Sequence, residues 1–118
     1  MAAVIYEITA TVAPERVAEY ETFMREHHIP ALLATGRFRS ADLARAAPGR
    51  YRIRYEAADQ AELERYVASD AGGLRAEFTA RFPSGIELSR EVWTVLETWS
   101  GTGADAIVSP DASDGGAA

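Results

Sequence analysis

Cysteine, lysine and asparagine are absent from this chain of 118 residues, and its two histidines are adjacent. The lack of cysteine excludes disulfides, thiolate nucleophiles and sulfur-ligated metal centres. The lack of lysine excludes Schiff-base chemistry, and the lack of asparagine excludes N-glycosylation. Because adjacent side chains on a helix diverge by about 100°, His27 and His28 cannot bind one metal ion together. We therefore expect neither a metal site nor a cofactor.

Positive charge is also scarce. The chain has 12 basic residues, all arginine, and 18 acidic residues, which gives a net charge of −6. A net negative chain does not predict a nucleic-acid partner, because phosphate binding needs a basic surface. No apolar run approaches the roughly 18–20 residues that cross a bilayer, and the N-terminus reaches Glu7 without a basic leader. The sequence therefore predicts a soluble, cytoplasmic protein without a membrane partner.

The composition, 47% hydrophobic and 25% charged, is that of one globular domain. Apolar spacing and turn residues predict four strands, over 3–12, 38–46, 50–57 and 91–99. The first predicted helix begins at Pro14 and stops or kinks at Pro30, and a short turn over 31–35 follows it, closed by a left-handed Gly36. The second predicted helix begins at Asp59 and is interrupted by Gly72-Gly73. Residues 1–99 then form the domain, and the polar segment 100–118 is predicted to be a disordered tail.

This β-α-β-β-α-β order predicts a ferredoxin-like α+β fold, a four-stranded antiparallel sheet with two helices on one face. A register that pairs apolar residues on one face and opposite charges on the other sets Leu43 opposite Ile53 and Asp42 opposite Arg54. Asp59 begins the second helix with a capping-box spacing to Glu62.

The two sheet faces differ in character. We expect the helices to cover the side of Tyr6, Tyr51 and Tyr55, which leaves Glu7 and the row Arg50, Arg52 and Arg54 on the other side. The last predicted strand is apolar on both faces, with Val92, Thr94 and Leu96 on one and Trp93, Val95 and Trp99 on the other. A strand that is apolar on both faces indicates that both are covered.

The simplest cover for the second face is another copy of the same sheet, so the sequence predicts a homodimer of the dimeric α/β-barrel type. The alternative is a monomer whose tail covers the face or whose tryptophans are partly exposed. If a dimer buries this arginine row, the row needs acidic residues or a bound anion as partners. The alternative for this row is a solvated, salt-bridged surface.

His28 lies on the apolar stripe of the first helix, next to the break expected at Pro30. We interpret it as a candidate general base at a helix-side cavity whose other candidate lining residues are Tyr6, Tyr51, Tyr55 and Trp93. The alternative is a structural histidine that binds the carbonyls left free where Pro30 ends the helix.

Residues 24–38 resemble the signature of the bacterial domain of unknown function family 4286, an H-I-P…T-G-x-F core that follows the first helix. The matching residues are His28, Ile29, Pro30, Thr35, Gly36 and Phe38, with later resemblances at 64–66, 74–75, 80–82 and 94–96. The resemblance covers most of 3–97 and implies the ferredoxin-like fold and dimerisation, with no established activity. Where many members carry His-x-Pro, this chain has Asp70-Ala71-Gly72, so any chemistry of that histidine is absent here. A more distant similarity is to the dimeric α/β-barrel superfamily, at the level of fold alone.

Two functional hypotheses follow. The first is a non-catalytic homodimer with a small-molecule-binding or accessory role. The second is a cofactor-independent monooxygenase or isomerase with His28 as general base, which requires a cavity of about 300 Å³ reached by His28 and a tyrosine. A third hypothesis is an adaptor that binds other proteins through its acidic surface. We favour the first, with the chain itself and a small organic ligand as partners.

Overall fold

A computed structural model describes residues 2–101. Its four strands are β1 (Val4–Val12), β2 (Phe38–Ala47), β3 (Arg50–Ala57) and β4 (Ile86–Thr94). Its α-helices are α1 (Val17–Phe23), α2 (Ile29–Ala34), α3 (Gln60–Ser69) and α4 (Ala71–Arg81). A 3-10 turn covers Pro14–Arg16, before α1, and a π-helix covers Met24–His28, between α1 and α2. The predicted β-α-β-β-α-β order and α+β class are confirmed, with α3 and α4 forming the second helical segment. The predicted tail lies outside the described residues except for Ser100 and Gly101.

The sheet has the strand order β2-β3-β1-β4, and each neighbouring pair is antiparallel. The two strands joined by the first helical segment, β1 and β2, are separated by β3, which is the split arrangement expected of this fold. The predicted register is confirmed, since Leu43 pairs with Ile53 and Asp42 with Arg54. Because side chains alternate along a strand, this register fixes which residues face the helices.

The first helical segment does not stop at Pro30. Instead it widens into the π-helix Met24–His28 and continues as α2, with Pro30 in the first turn of α2. Proline lacks the N–H that an α-helix interior needs, and its ring clashes with the carbonyl four residues earlier. The wider turn just before it accommodates both defects without ending the helix. Gly36, with φ +79°, ends α2 as predicted.

The second helical segment breaks two residues earlier than predicted. Asp59 caps α3 by accepting a hydrogen bond from the Glu62 N–H at 3.0 Å, as the spacing indicated. The break lies at Asp70, whose φ of −114° departs from helical values, whereas Gly72-Gly73 lies inside α4. A hydrogen bond from Arg37 to the Asp70 carboxylate, 3.2 Å long, stabilises this corner. A helical glycine costs only about 0.5–1 kcal/mol, which packing can outweigh.

The last strand was predicted too late in the chain. β4 begins at Ile86 and ends at Thr94, because it pairs residue by residue with all nine positions of β1. Its first four residues alternate apolar and polar, but Arg90 and Glu91 then interrupt the alternation, and most of the strand is exposed on both faces. Residues 95–100 continue without regular secondary structure.

The core lies between the sheet and the helices, as predicted. Its largest fully buried side chains are Tyr20, Tyr55, Leu32, Ile53 and Val4. Among residues 2–101, no charged side chain is buried. Ile8, on the same sheet face, is only partly buried because it borders a cavity.

We expect Gly49→Ala to destabilise the protein more than Gly36→Ala. Both glycines have φ near +80°, which costs another residue about 1 kcal/mol. At Gly49 an added Cβ would also lie 2.7 Å from the Val12 carbonyl oxygen, whereas at Gly36 it would meet nothing within 4 Å. The free energy of unfolding in urea should fall by about 1 kcal/mol for Gly36→Ala and by about 2–3 kcal/mol for Gly49→Ala. Equal losses would contradict the backbone contact.

Candidate functional site

A cavity of about 70 Å³ lies between the helices and the sheet. Its lining comes from the first helical segment, the sheet and α4, and comprises Tyr6, Ile8, Tyr20, Met24, His28, Leu32, Ile53, Tyr55, Tyr66, Arg75, Phe78, Thr79, Leu88 and Arg90. Because β4 is an edge strand that the helices leave largely uncovered, Leu88 and Arg90 mark the exposed side of the cavity. The lining is therefore mostly apolar and aromatic, with a few polar groups.

The spacing of the first helical segment places four of these residues. Tyr20, Met24, His28 and Leu32 recur every four positions and so line one stripe that faces the sheet. Three of them, Tyr20, Met24 and His28, lie on the apolar stripe that helical spacing predicts for the first helix. The π-helix ends at His28, whose ring lies 5.7 Å from that of Phe23 and 5.5 Å from that of Phe78. Aromatic packing thus fixes the imidazole at the cavity wall.

Two buried polar atoms on this lining lack hydrogen-bond partners within residues 2–101. They are the Tyr20 hydroxyl oxygen and His28 Nδ1. A buried polar group left unpaired costs about 1–3 kcal/mol, so native structures seldom keep one without a reason. The structural alternative for His28 is not realised, since the helix continues past Pro30 and Nδ1 bonds no carbonyl.

Burial also sets the protonation states in the cavity. Desolvation lowers the pKa of His28 below its ordinary value, and Arg90 lowers it further, while Glu77 acts in the opposite direction. Burial raises the pKa of Tyr20 and of Tyr55, and raises that of Tyr66 to about 12. At neutral pH the cavity therefore presents a neutral imidazole beside neutral phenols.

Of the predicted ligand-binding residues, Tyr6 and Tyr55 line the cavity together with His28, whereas Tyr51 and Trp93 lie elsewhere. The Tyr51 hydroxyl donates to Glu21 at 2.5 Å, in a separate surface groove. Trp93 pairs with Ile5 on the opposite face of the sheet, where it is 47% exposed.

Four of the polar lining residues that were not predicted from the sequence are Tyr20, Tyr66, Arg75 and Arg90. Tyr20 could have been found, because it shares the helical stripe of His28. Tyr66, Arg75 and Arg90 gave no comparable signal, since their positions depend on how the second helical segment and β4 lie over the sheet. In the structure the Arg75 guanidinium donates to the Tyr6 hydroxyl at 3.1 Å.

The face of the sheet that the helices leave bare, called the open face below, carries the predicted charged row. Arg54 lies 3.4 Å from Glu7, an ion pair without hydrogen-bond geometry. Arg50 and Arg52 are exposed there on β3, and Glu87 and Glu91 are exposed on β4. A hydrogen bond of 2.5 Å between the Thr9 and Ser89 hydroxyls links β1 to β4 on the same face.

Neither a metal site nor a membrane span emerges from the described residues. Within 2–101, no three histidine, cysteine, aspartate or glutamate side chains are grouped to hold an ion. In the same range, none of the helices has the length and apolar character needed to cross a bilayer.

Comparison with known proteins relates the chain to one family. The family model described as domain of unknown function DUF4286 matches residues 3–96. Among curated proteins, none matches.

Several solved structures share the fold. A mutant of SnoaB, a cofactor-independent oxygenase from Streptomyces nogalater, has a TM-score of 0.66 and 20% identity, covering 81% of this chain and 95% of that one. A protein of unknown function from Nitrosomonas europaea has a TM-score of 0.63 and 16% identity, covering 87% and 98%. A dimeric ferredoxin-like protein from an uncultured marine organism has a TM-score of 0.63 and 14% identity, covering 84% and 100%. At these identities the likeness concerns the fold.

We expect His28 to make stability fall as the solution is acidified. Because its pKa is lowered in the folded state, the unfolded chain binds the proton more readily below about pH 6.5, and stability is lost from there down to the folded pKa. His28→Gln should flatten the dependence of the unfolding free energy on pH between 7 and 5. The control, His27→Gln, changes the exposed neighbour and should keep the wild-type slope. Identical slopes for the two variants would contradict this.

Proposed function

We propose that this chain, which belongs to the domain of unknown function family DUF4286, is a homodimeric protein that binds a small organic molecule in its helix-side cavity. The observation that carries the proposal is the pair of unpartnered buried atoms, the Tyr20 hydroxyl and His28 Nδ1, on one aromatic lining. Pockets for small molecules combine apolar walls with a few convergent polar groups. A ligand with a donor and an acceptor would satisfy both atoms.

The size of the cavity indicates a small ligand. A volume of about 70 Å³ is a small fraction of the roughly 300–1,000 Å³ of pockets that bind drug-sized ligands. A molecule of a few heavy atoms therefore fits best, with any larger part extending past Leu88 towards the exposed edge.

A second candidate function is that of a cofactor-independent oxygenase or isomerase. It is favoured by the fold shared with SnoaB and by the neutral, buried imidazole of His28, which could accept a proton. Two observations weigh against it. The cavity is well below the about 300 Å³ expected for a drug-sized substrate. No hydrogen bond from the described residues orients His28 Nδ1 as a catalytic base requires. We therefore place binding before catalysis.

Self-association is supported by the charge pattern of the open face. Its β3 half carries Arg50 and Arg52, its β4 half carries Glu87 and Glu91, and none of the four has an ion-pair partner within residues 2–101. In a twofold contact the same patch meets itself, so the basic half of one sheet can face the acidic half of the other.

Exposed apolar side chains next to this face support the same arrangement. Trp93 is 47% exposed, and beyond β4 the side chains of Leu96 and Trp99 are 93% and 78% exposed. Large apolar side chains left exposed to water are typical of a contact surface. The dimeric ferredoxin-like protein from the marine organism shares the fold. Cytoplasmic location stays a prediction.

The cavity proposal is tested by Tyr20→Phe. Removing an unpartnered hydroxyl should raise the free energy of unfolding by about 1 kcal/mol and weaken binding of phenol at least fivefold, measured by calorimetry. Tyr51→Phe is the matched control, because its hydroxyl is bonded to Glu21 outside the cavity. It should lower stability and leave binding unchanged. Equal effects of the two variants on binding, or no binding to the wild type, would refute the proposal.

The dimer proposal is tested by reversing charges on the open face. Arg52→Glu should reduce the mass measured by light scattering from dimer towards monomer, whereas Arg65→Glu, on the exposed surface of α3, should leave it unchanged. Glu91→Arg should also weaken the dimer, and the double variant should recover it, because the halves become complementary again. A monomeric wild type, or an Arg52→Glu protein of unchanged mass, would rule out this interface.

A further inference from the structure

The lining of the cavity has a charge opposite to that of the protein. The chain as a whole carries a net charge of −6. The lining nevertheless includes two arginines, Arg75 and Arg90, and no aspartate or glutamate. Glu77, the acid whose field reaches His28, does not belong to the lining. A local excess of positive charge in an acidic protein is a specific feature of this site.

These two arginines also differ from most others in the chain. Eight of the 12 form ion pairs with carboxylates within residues 2–101, namely Arg16, Arg25, Arg37, Arg39, Arg45, Arg54, Arg65 and Arg81. In the same range Arg50, Arg52, Arg75 and Arg90 have no carboxylate partner. The first two lie on the open face, and the other two border the cavity.

The two arginines border the same cavity from two different elements. Arg75 comes from α4 and donates to the Tyr6 hydroxyl, which positions it over the sheet. Arg90 comes from β4, at the position that pairs with Ile8. Both act to lower the pKa of Tyr66, so both charges lie within electrostatic reach of the same phenol.

We propose that the ligand of this cavity is a small organic carboxylate whose charged group binds between Arg75 and Arg90. Its apolar part would contact Met24, Leu32 and Phe78, which line the interior. A guanidinium presents parallel N–H donors that match a planar carboxylate, and such charge-assisted hydrogen bonds are the strong ones. The proposal rests on the proposed function, since it names the ligand class of that same cavity.

The test compares anions with neutral molecules of the same shape. Benzoate and propionate are titrated against benzamide and propionamide at low salt, with binding followed through the NMR signals of the Met24 methyl group and the His28 ring. We expect the carboxylates to bind at least tenfold more tightly than the amides. In Arg90→Gln and in Arg75→Gln this preference should disappear, while Arg75→Lys should retain part of it because the charge remains. Arg65→Gln, on the surface of α3, is the control and should behave as wild type.

The outcomes separate this inference from the proposal on which it rests. If amides and carboxylates bind equally well to the wild type, the cavity binds ligands and the anion inference is wrong. The inference is also wrong if the preference survives in both glutamine variants. If none of the four probes shifts the Met24 and His28 signals, cavity binding itself is refuted.

Discussion

The helices of this protein cover only part of one face of a four-stranded sheet, and most other features depend on that incomplete cover. β1 and β3 lie under the helices, and Tyr55 and Ile53 are almost fully buried there. β4 is left at the edge, with Leu88 and Val92 exposed even on the side that faces the helices. The cavity therefore has an exposed side, and within residues 2–101 no helix lies over the opposite face. A cavity and a contact surface are both consequences of one packing arrangement.

Two tyrosines show why the cavity carries functional meaning. Tyr20 and Tyr51 pack against each other with ring centroids 5.0 Å apart, and both side chains are buried. The Tyr51 hydroxyl is bonded to Glu21, and that bond holds the pKa of the Glu21 carboxyl below its usual range. The Tyr20 hydroxyl has no such partner. With proteins stable by only about 5–15 kcal/mol, a cost of 1–3 kcal/mol at one hydroxyl is a large fraction. The proposed role in binding would account for its retention.

The sequence predicted the fold correctly where a single local interaction determines the structure. The register of Leu43 with Ile53 followed from cross-strand pairing, and the Asp59 cap followed from its spacing to Glu62. Prediction failed where neighbours compete with local preference. Pro30 does not end the helix because the preceding turn widens, and β4 is ordered by its bonds to β1 although Arg90 and Glu91 interrupt its alternation. For the site, the helical stripe identified His28, but Arg75 and Arg90 come from elements whose placement is a tertiary property.

β4 shows how closely the two sides of the sheet are linked. Its even-numbered residues, such as Leu88 and Arg90, face the cavity side, and its odd-numbered residues, such as Glu91 and Trp93, face the open side. A shift of one residue against β1 would exchange the two sets and remove the arginine from the cavity. The apolar pattern of β4 is too weak to prevent this alone. The register is instead fixed by nine pairings with β1, by the bond between Thr9 and Ser89, and by the Gly85 turn, whose carbonyl accepts from the Ala13 N–H at 2.8 Å. Backbone pairing thus positions a charged side chain that hydrophobic packing could not.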